Sequence, residues 1–134
     1  MKFPLKILAA LILFPIIFIA GFVGYYWVTY IDEEITSGNA YGFTIGSSKT
    51  EVVNDFEKLR LQYPDLYVYV SYGQRAGDNF STPALPESID KLTPHDRWDL
   101  LLDGKSEFFN STDLYFEDGK LARIYRHRQY FELP

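Results

Sequence analysis

Histidine, carboxylate, hydroxyl and arginine groups must carry whatever chemistry this chain performs, because it contains no cysteine. Thiolate metal sites, disulfides and cysteine nucleophiles are excluded together. His95 and His127 are its two histidines. His95 stands beside Asp96, the pairing of a general base with an orienting carboxylate. The surrounding pattern does not extend this to a catalytic site. No His-Glu-x-x-His spacing and no Gly-x-Ser-x-Gly turn is present. Gly73 to Gly77 lacks the terminal Lys-Ser/Thr of a phosphate-binding loop. With 18 Asp plus Glu in the chain, carboxylate pairs single out nothing. The reading is no catalytic residue, no cofactor and no metal, with His95 as an exposed loop residue.

Contact chemistry is better represented. Lys120, Arg123, Arg126 and Arg128 gather positive charge on one expected strand. Alternation puts Arg126 and Arg128 on one face, and Arg123 with His127 on the other. Two roles are open to them. One is cross-strand pairing with Asp113, Glu117 or Glu107, which also blunts a sheet edge. The other is an acidic partner docked on this strand. Tyr67 and Tyr69 share a face that alternation turns toward solvent, where amphipathic rings meet a partner or lie half-covered by a loop. The loop from Gly73 to Pro86 is long for a small domain, and long loops are often functional. It adds Arg75 and Phe80. The candidate partner-binding residues are therefore Tyr67, Tyr69, Arg75, Phe80, Arg126 and Arg128.

What positions these residues begins with the N-terminus. Ile7 to Ile31 carries no Asp, Glu, Lys or Arg, and Ile7 to Val28 is almost wholly apolar. A bilayer core of about 30 Å needs roughly 20 apolar residues to cross as a helix. Lys2 and Lys6 precede the run, and Asp32, Glu33 and Glu34 follow it. Basic residues stay on the cytoplasmic side, so the N-terminus is expected inside and the rest outside. Tyr25, Tyr26, Trp27 and Tyr30 suit the headgroup layer at the exit. A cleaved signal peptide is the competing reading. It needs a shorter apolar run and a small-x-small site, yet the apolar run continues past Ala20 and Gly21. The expected organisation is a cytoplasmic stub and signal anchor over 1–31, a linker over 32–41, and an extracytoplasmic domain over 42–134. That domain carries 11 basic and 15 acidic residues from Ile35 onward, which argues against nucleic acid as a partner. A cysteine-free exported domain fits the bacterial inner membrane with its periplasmic face.

Within the domain, Ser48 and Glu51 form a capping box ahead of Val52, Val53, Phe56 and Leu59, predicting an amphipathic helix over about 49–60. Leu66 to Tyr72 reads as a strand. Glu87 to Leu92 reads as a helical turn. Thr93-Pro94 offers a helix start, but Arg97 to Leu102 alternates, and Asp103-Gly104 is a turn signal; a strand is the preferred reading. Asp113 to Glu117, Asp118-Gly119 and Lys120 to Tyr130 predict a hairpin. A two-residue turn pairs Phe116 with Leu121. A bulged turn instead puts Leu114, Phe116, Ala122 and Ile124 on one face, the better core. Glu107 to Asn110 is a short apolar step. The fold class expected is α+β: one transmembrane helix, then one or two helices on an antiparallel sheet of about four strands.

The succession Gly42-x-x-x-Gly46, a helix capped at Ser48, Trp98, then the run Leu114 to Ile124 (LYFEDGKLARI) resembles the SmpA/OmlA family. These are small lipoproteins of the outer-membrane β-barrel assembly machine. The resemblance implies a non-catalytic periplasmic binding module with helices packed on an antiparallel sheet. The chain departs from that family in its missing lipobox cysteine, its membrane span and its extra strand at Leu66 to Tyr72. Outer-membrane placement and the family's partner contacts are therefore not implied. The expected function is a membrane-tethered, non-catalytic interaction module, an accessory subunit of an envelope complex with a protein partner and no small-molecule substrate. The alternatives are an inhibitor or immunity protein against a periplasmic toxin and, third, a small hydrolase.

Overall fold

The computed structural model describes residues 4–104 and 109–130. The chain divides into two units, and the larger comprises Ile31–Arg128. In the first, helix α1 spans Leu5–Thr29 and continues through Pro15. At 1.5 Å per residue it is about 37 Å long. It is long and apolar enough to cross a membrane, a property that anchors and signal sequences share. Its end is tied by the Tyr30 amide donating to the Tyr26 carbonyl (2.8 Å), with those two rings stacked at 5.5 Å.

The second unit is α+β. Its strands are β1 (Ile31–Ile35), β2 (Asn39–Ala40), β3 (Phe43–Thr44), β4 (Tyr67–Ser71), β5 (Asn79–Pro83), β6 (Arg97–Leu101), β7 (Asn110–Glu117) and β8 (Lys120–Arg128). Helix α2 is Lys49–Gln62; a 3₁₀ turn at Pro86–Ser88 leads into α3, Ile89–Leu92. Six strands form an antiparallel sheet in the order β1-β8-β7-β6-β4-β5, and β2 pairs with β3.

Four strands were expected; the others lie where hydrophobic alternation is absent. Most of the stretch 32–41, read as a linker, supplies β1 and β2. Ile-Asp-Glu-Glu-Ile has no apolar alternation, yet it completes the edge beside β8. The expected loop over 73–86 contains β5, whose Asn, Ser, Thr and Pro are turn formers by composition. The amide of Tyr72 donates to Asp78 and that of Ala84 to Leu66, so by alternation Asn79, Ser81 and Pro83 turn their backbones to the free edge. Pro83 has no amide to offer there, which limits strand addition.

The capping box forms as expected: the Glu51 amide donates to Ser48 Oγ (3.2 Å), and the Ser48 amide donates to Glu51 Oε2 (2.7 Å). Val52, Val53 and Phe56 are buried against Val68, Trp98, Leu100, Leu114 and Ile124. Trp98 is the pivot. Its Nε1 donates to the carbonyls of Leu92 and His95, both at 3.0 Å, and its ring lies 4.4 Å from that of Phe116. Thr93 is not a helix start; its amide and hydroxyl both donate to the Ile89 carbonyl, closing α3.

The hairpin resolves both registers. Asp118 and Gly119 take φ of 51° and 76°, a two-residue turn, and Phe116 pairs with Leu121. A bulge then follows between Tyr115 and Phe116, so Tyr115 faces Arg123 and Leu114 faces Ile124. Leu121 therefore joins the core, and Ala122, expected there, is the extra residue. Half of the expected apolar step over 107–110 lies outside the described residues; Asn110 opens β7.

Candidate functional face of the sheet

The sheet has two unlike faces. One packs on α2. On the other, the strand registers align three rows. The first runs Asp32, His127, Ser111, Leu101, Tyr67 and Pro83. The second runs Glu34, Tyr125, Asp113, Asp99, Tyr69 and Ser81. The third holds Arg123, Tyr115 and Arg97. This face carries four tyrosines, two arginines and four carboxylates, where the α2 face is chiefly aliphatic and aromatic.

Asp99 and Asp113 are direct partners on adjacent strands. Like charges so placed destabilise a sheet. Their side chains are 13% and 11% exposed. Burial raises both carboxyls above their ordinary value, and Asp113, with Asp99 beside it, is pushed up to about 6. Arg97 offsets part of this: its Nε donates to Asp99 Oδ1 at 2.9 Å, and a terminal nitrogen lies 3.6 Å from Asp113 Oδ2. One arginine thus serves two carboxyls, and the pair retains a proton to a pH well above that of a free aspartate.

Aromatic rings hold the cations in place. The guanidinium of Arg97 lies 5.3 Å, and that of Arg123 4.1 Å, from the Tyr115 ring centre. Arg123 also reaches Glu34 on β1 at 3.3 Å. Tyr125 donates to Asp32, and its ring stacks on His127 at 6.3 Å. Of the β8 cations, Arg123 pairs across strands, with Glu34 and not with the expected Asp113 or Glu117; Asp113 is served by Arg97 of β6 instead, and Glu107 lies outside the described residues.

An open groove of about 700 Å³ adjoins this face. Arg97, Tyr115, Arg123, Glu34, Tyr72 and His95 are among its lining residues. His95, expected to be exposed, is half-buried with its ring 5.7 Å from Tyr72 and 5.5 Å from Phe80.

The six expected contact residues do not converge. Tyr67 and Tyr69 lie on the face just described, beside Asp99. Arg75 is exposed between β4 and β5. Phe80 is on the α2 side and packs against the core. Arg126 is buried there too: it donates to the carbonyls of Ser111 and His127 and to Asn110 Oδ1 at 2.6 Å. Arg128 is half-buried at the end of β8, opposite Ile31 and Asn110. Sequence reasoning missed Arg97, Asp99, Asp113 and Tyr115 as a group, because only the β6–β7 register brings them together. Their one legible sign was Asp99 alternating with Trp98 and Leu100. Among the described residues, no group of three or more His, Asp and Glu is placed to hold a metal ion.

No family model, curated protein or solved structure matches the chain.

Proposed function

We propose that this protein is a membrane-anchored, non-catalytic interaction module of the bacterial envelope, an accessory subunit that docks a protein partner on the sheet face opposite α2. The observation that carries this reading is the composition of that face. Tyrosine and arginine dominate tight interfaces, and here they surround a carboxyl pair kept at a cost to stability. Only Tyr30 separates α1 from β1. With α1 in the bilayer, so short a connection keeps the domain at the surface and raises its effective concentration toward partners there. The test is a photo-crosslinking residue at Tyr69, compared with one at Glu57 on the exposed side of α2, in native membranes. A discrete protein adduct from position 69 and none from 57 supports the reading; no adduct, or the same adducts from both, overturns it.

One observation favours a second reading, a small hydrolase. Two facing carboxyls with one pushed up toward neutrality are the arrangement of an acid–base pair. Turnover of a peptide or glycan substrate that is abolished by D99N and by D113N would select it.

A further inference from the structure

A second cavity, of about 360 Å³, lies on the α2 side of the sheet. Three parts of the fold wall it. From α2 come Asp55, Lys58, Leu59 and Gln62, spaced i, i+3, i+4 and i+7 along one helical face. From the turn joining β2 to β3 come Tyr41 and Gly42, at φ of 54° and 89°. A bulky residue rarely takes positive φ. Tyr41 is held there with its hydroxyl donating to Glu33 and its ring centre 5.8 Å from the Arg126 guanidinium. From the sheet come Thr112 and Arg126, direct partners on β7 and β8. Partners so placed have Cβ atoms about 5 Å apart, so these two side chains share one part of the cavity wall.

That shared part is polar and buried. Arg126 is 4% exposed, and its guanidinium donates to the Ser111 and His127 carbonyls and to Asn110 Oδ1. Thr112 is 2% exposed, and its hydroxyl makes no hydrogen bond among the described residues. A buried hydroxyl is normally bonded, and one left without a partner costs stability. An anion accepting from this hydroxyl would complete it, and would sit in the field of a guanidinium that solvent screens little. Among the described lining residues, Asp55 is the one carboxylate against the two cations Lys58 and Arg126. Leu59, Tyr63 and Leu102 make the rest of the lining largely apolar. An apolar space of this size with a few convergent polar groups is the usual form of a small-molecule site.

We infer that this cavity binds a small organic carboxylate with an apolar body. The carboxylate accepts from the Thr112 hydroxyl beside Arg126, the apolar body lies against Leu59, Tyr63 and Leu102, and Lys58, the exposed cation of the lining, stands at the mouth. A single negative charge matches two cations set against one carboxylate. The site lies on the opposite side of the sheet from the partner-docking face and does not depend on that reading.

The test is an amide-shift titration of the full-length protein in neutral detergent micelles. The probes are hexanoate, 1-hexanol, which keeps the chain without the charge, and inorganic phosphate, which keeps charge without the chain. Hexanoate should shift Gly42, Leu59, Leu102 and Thr112 saturably, and the other two should bind at least about tenfold more weakly. Thr112→Val removes the hydroxyl alone. Because that hydroxyl has no partner among the described residues, the variant should melt no lower than wild type while losing about tenfold in hexanoate affinity. K58E should weaken binding about fivefold, whereas K91E, the same charge change at an exposed position of α3, should alter it less than about twofold. The assignment is overturned by no saturable hexanoate shift, or by hexanol or phosphate binding as tightly as hexanoate. Equal losses in K58E and K91E, or a T112V that melts lower or binds as wild type does, overturn it too.

Discussion

Replacing Asp113 with asparagine should make this protein more stable at alkaline pH. Asp113 lies opposite Asp99, with a side chain 11% exposed, and its pKa rises from 3.8 to about 6. A carboxyl with a folded-state pKa above its unfolded value favours folding while protonated. That contribution is complete below about pH 4 and is lost as pH rises through about 6. At ~1.4 kcal/mol per pKa unit, the loss by pH 8 is ~3 kcal/mol. Asparagine keeps the shape without the charge, and gives up part of the attraction to Arg97. A net gain of ~2 kcal/mol at pH 8 remains, worth about 10 °C in Tm for a domain of this size. Thermal melts of D113N and wild type in detergent, at pH 8, 6 and 4, read this directly. The gap should be widest at pH 8 and nearly closed at pH 4. A variant less stable than wild type at pH 8, or a gap independent of pH, would refute the repulsive-pair account.

Further outcomes follow from single contacts. Gly119→Val forces a β-branched residue to φ 76° and should cost ~1–2 kcal/mol in chemical denaturation; an unchanged midpoint would contradict the turn geometry. Ser48→Ala removes the oxygen that accepts the Glu51 amide and should cost ~1 kcal/mol by the same measurement. Replacing Tyr67 and Tyr69 with serine should change Tm little, since both are half-buried and outside the main core, while weakening partner capture in a pull-down. Leu114→Ala, in the core behind the same sheet, should instead cost about 2–5 kcal/mol without touching the contact face.

The elements legible in the sequence were those whose local chemistry and burial agree. Ser48 with Glu51 announced α2, and Val52, Val53 and Phe56 showed which side it buries. Asp118-Gly119 announced the hairpin, because positive φ at both turn positions needs those residue types. What escaped notice depends on partners distant in sequence. β1 is acidic, and it is a strand because β8 offers Arg123, Tyr125 and its backbone edge to it. β5 has the composition of a loop and is held by β4. The Asp99–Asp113 pair is invisible for the same reason: each aspartate alternates correctly within its own strand, and only the register sets one against the other. The bulge at Tyr115 shows the limit most finely. A turn of known type fixed Phe116 against Leu121, but one extra residue, Ala122, restored Ile124 to the core and left Arg123 on the contact face.

The most direct measurement uses the absence of cysteine. Ser81→Cys, exposed on β5, makes a lone thiol in the full chain. Cells with permeabilised outer membranes are treated with a membrane-impermeant maleimide, then fractionated. An anchored extracytoplasmic domain predicts labelling before lysis, at full-length mass, in the membrane pellet. Labelling only after lysis, or a shortened labelled species in the soluble fraction, would contradict it.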